Sequence, residues 1–138
     1  MAIDSILIDT NAYAAYRRGA PEAAEIIQRT PFIGVNAIVL GELLAGFAAG
    51  SRVDENTRDL QAFLASPRAR FLPLDDATAR VYARVYLDLK RDAHPSPTND
   101  MWIAATAIQY NLAVFRFDDH FQAVRGLRTG KRLGHLVL

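Results

Sequence analysis

Residues 5–11 read Ser-Ile-Leu-Ile-Asp-Thr-Asn. Ile6, Leu7 and Ile8 form a short aliphatic run of the kind that makes a buried strand, yet the run ends on Asp9, Thr10 and Asn11. A buried strand gains nothing from a carboxylate, and burying an unpaired one is costly. Asp9 is therefore either a turn-former or helix cap, as Asp at strand ends commonly is, or part of a site.

The pattern continues outward from this strand. Residues 21–29 (PEAAEIIQR) are helical, with Pro21 suited to a first helical position. Residues 31–35 (PFIGV) make a second strand, and Asn36 can N-cap a helix that stops near Gly50. Residues 53–66 give an amphipathic helix closed by Pro67, and residues 69–74 (ARFLPL) a third strand. Asp75 or Asp76 can cap the next helix, whose apolar stripe is Val81, Tyr82, Val85, Tyr86 and Leu89. Residues 94–99 (HPSPTN) read as a loop, residues 100–110 as a helix apolar on nearly every side, and residues 112–117 (LAVFRF) as a fourth strand. The tail, 126–138, is ambiguous and can hold a fifth short strand. Strands alternating with helices indicate an α/β fold with a mainly parallel sheet of four to five short strands. In such sheets sites form at the carboxyl ends of strands, which puts Asp9 at a candidate site.

The bulk numbers set limits. The chain has 138 residues, 51% of them hydrophobic, which suits one compact domain over residues 1–138. Sixteen basic against fifteen acidic residues leave a net charge of +1, so overall charge argues neither for nor against nucleic acid. There are no cysteines, which excludes disulfide scaffolds and thiolate metal sites and fits a reducing compartment. No basic segment precedes an apolar run at the N-terminus, and no apolar stretch is long enough to cross a bilayer. The expectation is a cytoplasmic protein with no membrane partner.

Three further acids fit their surroundings poorly. Glu42 has Ile38, Val39, Ala45 and Gly46 as its helical neighbours, so it does not sit on a solvated face. Asp100 begins the most apolar helix, with Ser96 or Thr98 as its expected N-cap; a first-turn acid there also suits the helix dipole. Asp118, followed by Asp119, ends the fourth strand, so a second strand also ends in acid. A parallel sheet can bring Asp9, Glu42, Asp100 and Asp118 to one edge. At ~5 Å and an effective dielectric of ~20, each carboxylate pair costs about 3 kcal/mol. Such a cluster needs protons or cations, and an all-oxygen site suits Mg²⁺ or Mn²⁺. Two metals can activate water and stabilise the leaving oxygen in phosphodiester cleavage.

Taken in order, LIDTN, GELLAG, NDMWIAATA and FDDHF resemble the PIN-domain ribonucleases, specifically the VapC-type toxins of toxin–antitoxin pairs. The similarity covers nearly the whole chain. It implies a three-layer α/β/α sandwich whose acids converge on Mg²⁺ or Mn²⁺, with Asp9, Glu42, Asp100 and Asp118 matching the first to fourth acids. Thr10 and Asn11 match the polar residues after the first acid, with Asn11 orienting Asp9 or bound water, and Asp119 is a helper at most. The family often has Thr or Ser two residues before the fourth acid; here that residue is Arg116. A guanidinium there can pair with a carboxylate and compete with metal, hold a substrate phosphate, or point away.

The resemblance implies an endoribonuclease leaving 5′-phosphate and 3′-hydroxyl ends, and a cognate antitoxin that occludes the site. Apolar helix faces offer surface for that partner or for a homodimer. Arg125, Arg128, Lys131 and Arg132 fall within eight residues without an acid, and Arg17 and Arg18 follow the first helical segment. All six are candidate RNA-backbone contacts. His94, His120 and His135 show no metal-ligand spacing. Two other readings compete. A catalytically inactive RNA- or protein-binding module on the same fold has Arg116 in its favour. A Mg-dependent phosphatase or phospho-acceptor domain also ends strand one in Asp. The dehalogenase pattern, however, wants a second Asp where Asn11 stands, and neither Lys90 nor Lys131 follows a clear strand.

Overall fold

The computed structural model describes residues 4–116 and 124–130. In chain order the elements are β1 (Ser5–Ile8), α1 (Thr10–Arg17), α2 (Pro21–Arg29), β2 (Phe32–Asn36), α3 (Ala37–Ala49), α4 (Val53–Leu64), β3 (Ala69–Leu72), α5 (Asp76–Arg91), α6 (Thr98–Gln109), β4 (Ala113–Phe115) and β5 (Thr129–Gly130). The five strands pair in the order β3-β2-β1-β4-β5, and every described pairing is parallel.

This order fixes the layers. The chain moves from β1 to β2 to β3 in one direction, then crosses back past β1 to β4. Parallel crossovers are right-handed, so reversing direction changes the face on which helices lie. α1 to α4 accordingly cover one face and α5 with α6 the other, giving a three-layer α/β/α sandwich. Tyr13 of α1 meets Phe63 of α4 edge-on at 5.4 Å, and Tyr82 of α5 stacks on Trp102 of α6 at 4.1 Å. Between the layers Ile6, Leu7 and Ile8 are wholly buried, which explains the unbroken aliphatic run of a central parallel strand. In β2, Gly34 pairs with Leu7. A Cβ there would stand 2.8 Å from Leu72 Cδ1 and 3.2 Å from Leu112 Cδ1, so packing alone accounts for the glycine.

Several boundaries differ from those read in the sequence. β2 runs one residue further, and Asn36 is both its last residue and the N-cap of α3, its side chain accepting from the Val39 N–H at 2.9 Å. β3 stops at Leu72, before Pro73, which has no N–H for a ladder. α4 ends at Leu64, two residues before the expected end. α6 begins at Thr98, and neither Ser96 nor Thr98 caps it: the capping position is Pro97, with no side-chain cap bond. Thr98 is already helical, and Ser96 lies one residue too early. Asp75 is the cap of α5, in a reciprocal box with Thr78. β4 is shorter than expected, Ala113–Phe115, and the ambiguous tail supplies β5 beside it. No helix among the described residues is long and apolar enough to cross a membrane.

Candidate active site

The strand order reverses beside β1, so the carboxyl ends of β1 and β4 form the switch-point crevice in which α/β sheets place their sites. Asp9 stands there. Its backbone N–H donates to the Phe115 carbonyl at 2.9 Å, and its carboxylate accepts the Thr10 N–H at 2.8 Å as N-cap of α1. The two readings of Asp9 are thus compatible: it caps a helix and it lines the crevice. The residue is only 6% exposed. Burial pushes its carboxyl up to about 6. The Thr10 N–H pulls it down, Glu42 and Asp100 push it further up, and Arg116 pulls weakly down.

Glu42 and Asp100 are therefore near enough to act on Asp9 through their charges. Glu42 arrives on α3, a turn and a half after the Asn36 cap, and Asp100 in the first turn of α6. Glu42 is held from both sides. The Thr10 hydroxyl donates to Oε1 at 2.8 Å and Asn99 Nδ2 to Oε2 at 3.5 Å. Each donor is the chain neighbour of another acid, Thr10 of Asp9 and Asn99 of Asp100, so the three acids are tied by position. Asn99 was not among the residues singled out from sequence; its adjacency to Asp100 was the available signal. The glycines flanking Glu42 on α3, Gly41 and Gly46, have nothing within 4 Å of a would-be Cβ and open outward.

Arg116 follows β4 and is 1% exposed, its backbone N–H donating to the Gly130 carbonyl at 3.0 Å. Its guanidinium is buried, and its charge acts on Asp9, lowering that carboxyl. Asn11 is half-buried in the first turn of α1. Asp118, Asp119, Lys131 and Arg132 lie outside the described residues. Among the described residues no three His, Asp or Glu side chains are grouped so as to hold an ion as placed.

The described basic residues do not converge on the acids. Arg17 ends α1, some 12 Å of helix away from Asp9, and pairs with Asp59 at 2.8 Å. Arg18 is the exposed C-cap beyond it. Arg125 is paired to Asp92 and Asp88. Arg128 precedes β5 and donates to the carbonyl of Asn111, which precedes β4, so it lies at the amino-terminal edge of the sheet, opposite the acids. As placed, Arg17 and Arg128 lie away from the acids by strand and helix direction, and Arg125 is held by carboxylates, so none of the three lines the crevice.

Residues 6–127 match the PIN domain family model. The chain belongs to the PIN-domain family. Among curated relatives, this PIN domain is 29% identical to Ribonuclease VapC5 of Mycobacterium tuberculosis over 87% of each chain. It is 31% identical to Ribonuclease VapC4 of the same organism over 66% of this chain and 70% of the relative. A crystal structure of VapBC-5, a member of the VapBC family of toxin–antitoxin systems from M. tuberculosis, superposes with a TM-score of 0.67 at 27% identity. The match covers 91% of this chain and 94% of that one. The PIN fold places Asp9, Glu42 and Asp100 on three elements whose carboxyl or amino ends meet at one crevice.

Proposed function

We propose that this protein is a divalent-metal-dependent endoribonuclease and the toxin of a type II toxin–antitoxin pair. The observation that carries the reading is the buried Asp9 at the switch point, its carboxyl raised by burial and by the charges of Glu42 and Asp100. A buried acid with two acidic neighbours suits a site that works with a cation. The donor set is all carboxylate oxygen, which fits a hard ion such as Mg²⁺ or Mn²⁺ better than a soft one. Asp9, Glu42 and Asp100 would hold it, with Asp118 as fourth acid and Asp119 as a helper. When bound, the ion supplies Lewis acidity toward the phosphodiester and lowers the pKa of the attacking water.

The chain's own residues supply position. Asp9 is fixed by the sheet through its N–H and by the helix through its carboxylate. Thr10 and Asn99 orient Glu42, and Arg116 offsets part of the negative charge. No Ser or Cys nucleophile is called on. The two ribonuclease relatives support RNA as substrate, and the relation to VapBC-5 supports a protein antitoxin and a hetero-oligomer as the resting assembly.

The test uses a mixed RNA pool, with chelator or with Mg²⁺ or Mn²⁺, and wild type against Asp9→Asn. Cleavage that requires the ion and is lost in the variant is the expected result. RNA binding without cleavage, unchanged by Asp9→Asn, would instead establish the inactive binding module. Mapping the cut ends after brief expression, with and without the neighbouring gene product, tests the antitoxin and identifies the cleaved sequence.

A further inference from the structure

We propose that the cavity between the end of α5 and the start of α6 is a nucleobase subsite that sets the register of the RNA strand on the acids. The inference rests on the ribonuclease reading above. The cavity has a volume of about 330 Å³, within the range of small-ligand pockets and ample for one base. Leu89, Pro95 and Met101 line it with apolar surface, Ser96 adds a hydroxyl, and Tyr86 and Lys90 complete it. Met101 directly follows Asp100, so cavity and acid share the first turn of one helix. A base seated there would lie close along the strand to a phosphate at the acids.

The chemistry of the lining favours a nucleotide over other occupants. Tyr86 is 49% exposed although large and aromatic, and exposed rings beside a cation are the usual platform for single-stranded bases. Lys90 supplies the cation for the attached phosphate. Arg125, at the same end of α5, is held by Asp88 and Asp92, whereas Lys90 makes no ion pair among the described residues. An exposed ring with a cation one helical turn away matches a base and its attached phosphate. Stacking tolerates many bases, while the Ser96 hydroxyl gives one polar contact through which a preference can be expressed.

The experiment uses an RNA oligomer spanning the mapped cleavage site and copies of it carrying one abasic residue at each flanking position. For wild type, one abasic position raises KM roughly tenfold. Tyr86→Ala raises KM on the intact oligomer by a similar factor and shows no further loss on that abasic copy, while Tyr86→Phe behaves as wild type and Lys90→Ala raises KM at low salt. A second arm does not need cleavage: Asp9→Asn protein is mixed with oligomers carrying 2-aminopurine at each position. Quenching at one position, abolished by adding Tyr86→Ala, supports the subsite. Equal effects of Tyr86→Ala at every position, or no quenching anywhere, overturn it. A change of oligomeric state with Tyr86→Ala in light scattering, with no position-specific effect, also overturns it and assigns the cavity to a second copy of the chain. Wild type that cleaves no RNA sinks the ribonuclease reading; the fluorescence arm, run then on oligomers taken from RNA that the Asp9→Asn protein retains, still decides the subsite.

Discussion

The Thr10 hydroxyl donates to Glu42 Oε1 at 2.8 Å, tying the residue after Asp9 to an acid thirty-two positions along the chain. Asn99 approaches the other oxygen from the residue before Asp100. A hydrogen bond to a charged group contributes about 1.5–3 kcal/mol when buried, and Glu42 is partly exposed, so about 1 kcal/mol is a fair expectation for the Thr10 bond. Thr10→Val should therefore lower kcat for RNA cleavage roughly fivefold to tenfold, with Thr10→Ser near wild type. Asn99→Ala should cost less, since 3.5 Å is a long bond. Neither change touches the core, so the fall in melting temperature should stay within about 5 °C. A kcat unchanged in Thr10→Val would remove Thr10 from the positioning of Glu42.

Asp9 gives the protein a stability profile of defined sign. Its folded pKa, about 6, lies above the ordinary 3.8. The unfolded chain therefore releases this proton first, and between those values the folded state holds more protons. Stability from this group is fully present below 3.8 and is lost as pH rises through 6. The difference amounts to about 3 kcal/mol by pH 7. In chelator, wild type should lose stability relative to Asp9→Asn across that window, measured by urea unfolding at several pH values. Added Mn²⁺ favours the ionised carboxylate, so its stabilising effect on wild type should grow from pH 5 to 7, and Asp9→Asn should show a weaker effect without that growth. Parallel curves for the two proteins would show that Asp9 titrates normally.

Much of this was legible in the sequence because the signals were local. The aliphatic run before Asp9, the Asn36 cap and the Asp75 cap each depend on a few adjacent residues, and the structure uses all three. Capping also explains the misplaced start of α6. Ser96 and Thr98 are good capping residues, but Pro97 lies between them and takes the capping position with no side chain able to accept a bond. What sequence could not supply was direction. Arg17 and Arg128 look like phosphate ligands when only their distance along the chain from acids is counted. The parallel sheet carries one to the far end of α1 and the other to the opposite edge. Arg116 is similar: its charge was evident, its burial was not.

Gly34 should tolerate little. Its missing Cβ makes room for the ends of Leu72 and Leu112, the nearer at 2.8 Å. Gly34→Ala meets a side-chain tip that can turn aside, so about 1 kcal/mol is expected. Gly34→Val adds two methyls to a filled space and should cost about 3 kcal/mol, the upper range for overpacking. Thermal melts check both. Because Gly34 lies in β2, well before its carboxyl end, the alanine variant should keep its RNA-cleaving activity at 25 °C.

Asn36 joins stability to the site. Its Oδ1 accepts the Val39 N–H at 2.9 Å, and its Nδ2 donates to Thr106 Oγ1 at 3.1 Å, both in the interior. Asn36→Ala removes the cap of α3 and strands a buried N–H, for a combined loss of about 2–4 kcal/mol, or roughly 10 °C in melting temperature. Asn36→Ser keeps an acceptor for the helix but cannot span to Thr106, and should fall between. The first turn of α3 that this cap holds is the turn on which the approach of Glu42 to Thr10 depends. Asn36→Ala should therefore lose kcat even at temperatures where it is fully folded, by about the factor seen in Thr10→Val, and the double variant should lose little more than either alone. Independent losses that multiply would mean that the cap of α3 does not set the position of Glu42.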